Sequence, residues 1–399
     1  MAAGRDASDP PRPVFVLRGH TAEVSAARFD PSGTRLLTGD AGGELRLWDL
    51  EMRRPLATLA RAHDGRVLGA HADAAGAVAA QGRDGCVRVW EAGLDRRAPS
   101  LELRTGCFNF CRFDLLAREG EPPRKWLVAL PGDDADDVCV WELGSGARAF
   151  QLRRQPTGSA DAPRVGMCTS IAFESAGAAP RLVAGLEDGA ICLWDARAPA
   201  AAVQTCRGAH AEPVLCIATA PRAALALSGS ADRRICALSI GARAAEPAAV
   251  DGRVAATTAA AAGAPPTGIG VAHTFDLPVT DDSMDTGGIN DLAVRRDGRL
   301  FASGGWDRRV RVFEFGKRWR PLAVLRHHSG AVNAVDFSPC GTWLASASAD
   351  KTVALWSVFA PRRAERSART VRESPGARPA SPEVGVALDV VDGVDGKSG

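Results

Sequence analysis

The chain lacks any apolar run long enough to cross a bilayer, which excludes a transmembrane helix. Residues 1–13 are polar and proline-rich, so they do not read as a secretory signal. No Asn-X-Ser/Thr acceptor occurs. The ten cysteines show no metal-ligand spacing. Cys107 and Cys111 form a C-x3-C without a second pair, and Cys86, Cys139, Cys192, Cys216 and Cys236 sit in alternating apolar runs as small hydrophobes. These absences point to a reducing, intracellular compartment. The net charge is only +2, so nothing advertises nucleic acid or an anionic membrane as partner. Catalytic signatures are missing too: there is no G-x-S-x-G and no H-E-x-x-H. Gly396-Lys397-Ser398 has the end of a phosphate loop without its earlier glycine.

What is present is a repeat. Leu17–Trp48 and Leu325–Trp356 align without a gap over 32 residues, each with His at the fourth position, Val at the eighth, Phe at the thirteenth and Trp last. Further alternating runs end at Trp90, Trp141, Trp194, Leu238 and Phe313, which makes seven units. Spacings of 42, 51, 53, 44, 75 and 43 residues imply two modest insertions and one long one. Short strands at a fixed period of this length select a β-propeller among all-β folds. Seven outer-strand segments are expected (PVFVLRG, PLATLAR, SLELRTG, AFQLRRQ, AVQTCRG, VAHTFDL, PLAVLRH); the first precedes the first repeat and should complete the last blade. Ala-, Gly- and Pro-rich residues 241–270 account for the long spacing. The expected organisation is a disordered N-terminus (1–13), a propeller (14–359) and a disordered tail (360–399).

Gly19-His20, Trp48-Asp49 and Trp194-Asp195 carry the marks of the WD-repeat family, which the chain resembles over about 14–359. The resemblance implies a seven-bladed, all-β WD-repeat propeller with a buried His–Ser/Thr–Asp–Trp network per blade. The last repeat carries all four as His328, Ser346, Asp350 and Trp356. The first has His20, Thr38 and Trp48, with Asp40 two residues early. The fifth keeps His210, Ser228 and Asp232 but ends in Leu238, and the sixth keeps Ser303 and Asp307 but ends in Phe313. Those two blades are expected to be less rigid. Asp84, Asp188, Asp232, Asp307 and Asp350 each stand six residues before the terminal large residue, where Asp accepts turn hydrogen bonds. Recurrence from blade to blade, which a scaffold needs and an active site does not, marks these residues as structural rather than catalytic. No enzyme, cofactor or metal site is expected, and His71 and His273 have no evident partners.

Gly304–Phe313 (GGWDRRVRVF), Gln81-Gly82-Arg83-Asp84, Leu130-Pro131-Gly132 and Ala184–Gly189 resemble, in order, repeats of the subfamily that holds the ASTRA-complex WD-repeat subunit and the G-protein β-subunit-like protein of animals. That resemblance implies a non-catalytic scaffold, nuclear and cytoplasmic, a monomeric propeller within a hetero-complex. Its partners would be cochaperone and kinase-assembly subunits serving phosphatidylinositol-3-kinase-like kinases and chromatin remodelling. Trp194-Asp195-Ala196-Arg197 resembles a W-D-x-R box that docks on the adaptor of cullin ubiquitin ligases, the alternative reading. Family geometry puts Arg83, Glu187, Ala231, Trp306 and Ala349, with Glu23, Arg66 and Pro213, on the partner-binding top face. Trp306 is the candidate anchor there, since Trp and Arg dominate interface hot spots. Trp126 and Trp343 read as core, and Trp319 as a minor contact or a cover for the blade edge.

Overall fold

The computed structural model describes residues 11–358 apart from 92, 96, 107–109, 118–119, 133, 135–136, 154–165, 175–180, 196–203, 221–223, 242–267, 279–286 and 317. The first sheet is β2 (Val24–Phe29), β3 (Arg35–Asp40), β4 (Leu45–Asp49) and β5 (Arg54–Leu59). The second is β6 (Val67–Ala72), β7 (Val78–Gly82), β8 (Cys86–Trp90) and β9 (Leu101–Arg104). The third is β10 (Asp114–Leu116), β11 (Leu127–Pro131), β12 (Val138–Glu142) and β13 (Arg148–Leu152). The fourth is β14 (Cys168–Glu174), β15 (Arg181–Leu186), β16 (Ile191–Asp195) and β17 (Gln204–Cys206). The fifth is β18 (Val214–Thr219), β19 (Leu225–Ser230), β20 (Arg234–Ile240) and β21 (Ile269–Asp276). The sixth is β22 (Ile289–Val294), β23 (Leu300–Gly305), β24 (Arg309–Glu314) and β25 (Pro321–Arg326). The seventh joins β26 (Val332–Phe337), β27 (Trp343–Ser348) and β28 (Val353–Ser357) to β1 (Phe15–Leu17).

All seven outer strands thus fall on the expected segments. β1 pairs antiparallel with β28, Val16 opposite Ala354, so the chain start closes the last sheet. One boundary shifts: residues 269–270, read as the end of the low-complexity insertion, belong to β21, where Ile269 pairs with Ile240. An apolar Ile facing a buried strand end extends the ladder past the Ala/Pro-rich stretch.

The core is seven seams rather than one centre. Each apolar cluster joins two adjacent sheets, from Leu37, Val67 and Trp90 between the first and second to Val24, Trp48 and Val353 between the first and seventh. Glycines permit the close approach. A Cβ on Gly39 would stand 2.5 Å from Val67, and one on Gly185 would stand 2.4 Å from Val214. Gly229 against Ile289 and Gly304 against Val332 repeat the arrangement at 2.7 Å. Six inner strands carry a register shift just after their first residue, as between Val24 and Ala26 or between Val332 and Ala334. Such a bulge re-aims one side chain per strand. Trp126 is fully buried, as expected; Trp343 is only half-buried, edge-on to Phe15.

Candidate protein-binding face

Antiparallel order puts the turns between second and third strands on the same face as the links between sheets. One backbone bond ties the two on this upper face. The N–H of Arg83 donates to the Arg66 carbonyl (2.8 Å), Glu187 to Met167 (2.9 Å), Ala231 to Pro213 (3.1 Å), Trp306 to Gly288 (2.9 Å) and Ala349 to Ala331 (2.9 Å). Of the sequence-derived face residues, Arg83 with Arg66 and Ala231 with Pro213 are therefore neighbours, and Glu187, Trp306 and Ala349 take the same position in their own sheets. In the first sheet the equivalent is Ala41 on Glu23, at 2.8 Å. Arg66 also reaches the Glu23 carboxylate at 2.5 Å.

Inside this rim the six bulge residues Ser25, Leu68, Thr169, Leu215, Asn290 and Asn333, together with Arg112 just before β10, circle the channel mouth. Their polar members sew one sheet to the next. Ser25 Oγ donates to the Val67 carbonyl, Thr169 to that of Val214, Asn290 to that of Val332 and Asn333 to that of Val24. The mouth opens on a cavity of about 620 Å³, flanked by Phe110 and Met167. Phe110 is 64% exposed, with the Arg83 guanidinium 4.3 Å above its ring. Sequence reasoning missed both side chains.

Trp306 is half-buried. Its ring lies on Gly288, where a Cβ would stand 2.8 Å from the indole, and its N–H donates to Asn290 Oδ1. It therefore packs onto the sheet and braces the mouth. Of the W-D-x-R residues, Trp194 is buried and Asp195 ends β16, half-buried; Arg197 lies outside the described residues.

Deeper in the channel stand Arg28, His71, Asp114, Asp291 and Asp336. Each carboxylate is committed to a neighbouring sheet. Asp336 accepts the Phe29 N–H at 2.8 Å, Asp291 that of Val335 at 2.9 Å and Asp114 that of Phe173 at 2.6 Å. Arg28 pairs with Asp336 and Arg112 with Asp291. These groups close the ring of sheets. Burial raises the pKa of Asp114 and of Asp336; burial and then Arg28 lower that of His71 to about 4.

The blade networks form as expected in the seventh sheet. His328 Nδ1 meets Asp350 (2.8 Å), Nε2 meets Ser346 (2.8 Å), and the Trp356 N–H donates to Ser346 (2.9 Å). Asp40 does the same work in the first although it stands where the seventh has Ser348: one oxygen lies 2.9 Å from His20 and the other accepts the N–H groups of Gly42 and Glu44 across a turn of the same length. Glu44 also approaches His20 at 3.4 Å, but His20 Nε2 is taken by Thr38, so this trio is a blade network. In the fifth sheet His210 bridges Asp232 and Ser228. In the sixth, Phe313 stacks on Phe301 in place of the indole and Asp307 pairs with Arg311. The five turn aspartates each accept the N–H two residues on. His71 meets Trp126 edge-on, and Trp319 stacks on His273, covering the aromatic seam between the fifth and sixth sheets.

Seven four-stranded sheets, a closing N-terminal strand and His–hydroxyl–Trp networks define a seven-bladed WD-repeat propeller. The model of the WD domain, G-beta repeat, matches residues 11–49, 280–314 and 319–357. The chain is 30% identical to mouse guanine nucleotide-binding protein subunit beta-like protein 1, over 88% of this chain and 97% of that one. It is 27% identical to ASTRA-associated protein 1 of Verticillium alfalfae, over 90% and 95%, and 24% to that of Schizosaccharomyces pombe, over 88% and 99%. The β-propeller domain of Myceliophteria thermophila Cps50 (Swd1) shares the fold, with a TM-score of 0.66 and 17% identity over 88% of this chain and all of that one. The chain belongs to the WD-repeat family of the beta-like protein 1 and ASTRA-associated protein 1 relatives. It is a WD-repeat scaffold subunit, of a family that is generally non-catalytic.

Proposed function

We propose that the chain is a subunit of an ASTRA-like assembly, acting in maturation of phosphatidylinositol-3-kinase-like kinases and in chromatin remodelling, in nucleus and cytoplasm. The observation that carries this reading is similarity along nearly the whole propeller to relatives named ASTRA-associated protein 1. The upper face supplies the contact: a rim of Arg66, Arg83, Glu23 and Glu187 around a mouth flanked by the exposed Phe110 and Met167 resembles the polar rim and apolar contact of protein interfaces. The test is affinity purification of the tagged full chain from its native cells, read by mass spectrometry. Cochaperone subunits and large kinases should co-purify. Recovery of a cullin adaptor in their place, lost on Arg197→Ala, would replace this reading with a ligase receptor.

A further inference from the structure

We propose that the channel mouth between the second and fourth sheets docks a linear segment of a partner protein. One large apolar side chain of that segment enters the cavity, an acidic residue meets Arg83, and a basic residue meets Glu187. The inference deepens the upper-face reading above and rests on it.

The apolar part is carried by exposure. Among the described residues, the exposed large hydrophobics Val14, Leu56, Val271, Leu322 and Val324 lie on or beside outer strands, and Met52 lies in the β4–β5 turn. Phe110 and Met167, 64% and 46% exposed, instead stand together at one cavity. A shared apolar rim on a polar surface marks an interaction site. Below them Leu68 and Leu215 occupy positions that hold Ser25, Asn290 and Asn333 elsewhere, while Arg112 and Thr169 between them are tied to Asp291 and the Val214 carbonyl. Val67, Cys111 and Cys168 add buried apolar wall. A volume of about 620 Å³ admits one or two side chains, not a folded domain.

The charged part is carried by the rims. On the second-sheet side Arg83 is exposed, lies over Phe110 and forms no ion pair among the described residues. On the fourth-sheet side the exposed Glu187 accepts the Met167 N–H at 3.2 Å, which fixes its carboxylate at the opposite lip. The mouth therefore carries positive charge on one lip and negative on the other. Complementary charges set the direction in which a segment lies.

The experiment is selection of a phage-displayed random twelve-residue peptide library on the immobilised full chain. Enriched peptides should share a large apolar residue between an acidic and a basic one. Phe110→Ser with Met167→Ser should weaken them at least about tenfold, as loss of an interface centre does, with an unchanged melting temperature. The charge exchange Arg83→Glu with Glu187→Arg should select the reversed charge order. No enrichment, binding indifferent to the serine variant, or an unreversed charge order would overturn the proposal. If the cell purification still recovers assembly subunits, the site fails while the assembly reading stands. If neither succeeds, both fail.

Discussion

A hydroxyl at one position decides whether a blade network closes. In the seventh sheet His328 Nδ1–H donates to Asp350, its Nε2 accepts the Ser346 O–H, and Ser346 Oγ accepts the Trp356 N–H. The second sheet has His63, Asp84 and Trp90 but Ala80 where the hydroxyl belongs. Trp90 Nε1 then has no partner among the described residues, and no hydroxyl of theirs meets His63 Nε2. Trp194 Nε1 is likewise unpartnered above Ala184, while the sixth sheet keeps Ser303 and has lost the indole. A buried donor without a partner carries its desolvation cost, about 1–3 kcal/mol. Ser346→Ala should therefore destabilise the chain by about 1–3 kcal/mol, read as a lower urea midpoint at unchanged slope. Ala80→Ser should stabilise it by about 1 kcal/mol. If both variants unfold like the wild type, the hydroxyl link contributes nothing and the seams alone hold these sheets.

Among the elements, β1 has a role out of proportion to its three residues. Without it β28 becomes an open edge, since Val14 to Leu17 supply its ladder partners and Leu17 fills the seam between first and seventh sheets. Removing residues 1–17 should leave an aggregation-prone edge and loosen the seventh sheet first. Limited proteolysis should then cut the truncated chain within 329–358 while the full chain resists there; equal resistance would show that the ring holds without its clasp. This closure was legible in the sequence because the PVFVLRG segment matches six later ones and has no repeat of its own to join. The turn aspartates were legible because each stands at a fixed distance from a terminal large residue. Asp40 fell outside that rule because the first repeat has Gly42 at the usual place and carries its carboxylate two residues earlier, where the seventh has Ser348. Phe110 and Met167 were not legible: apolar side chains such as Phe also fill the seams, and only the neighbours around a sheet link decide whether one is buried or bare. The channel carboxylates Asp114, Asp291 and Asp336 share no period with the repeat, and only ring closure brings them together.

The ring as a whole responds to pH through groups that no single sheet encloses. His71 faces the channel among Arg28, Asp114 and Asp336 from other sheets, and burial followed by Arg28 brings its pKa from 6.5 to about 4. Its folded value lies below its unfolded one, so its contribution is complete above pH 6.5 and is lost as pH falls toward 4. Burial lowers His63 and His210 in the same sense, against the pull of their aspartates. Burial alone would raise Asp350, but hydrogen bonds from His328 and Thr352 outweigh it and hold the carboxyl well below its usual range; that stability disappears only below pH 3.8. Asp114 and Asp336, raised by burial, run the other way: they favour the folded ring below pH 3.8 and lose that effect as pH rises through their shifted values. In the first part of an acid titration the histidines therefore lower stability and the two channel carboxylates oppose them. The part of the melting temperature that His71 controls should be constant above pH 7 and fall between pH 6.5 and 4. His71→Leu, which keeps an apolar contact with Trp126, should make the fall between pH 6.5 and 4 shallower and leave the region above 7 unchanged. A variant as steep as the wild type would move the origin of the acid response from the channel to the blade histidines, where His63→Gln and His210→Gln would be measured against the same curve.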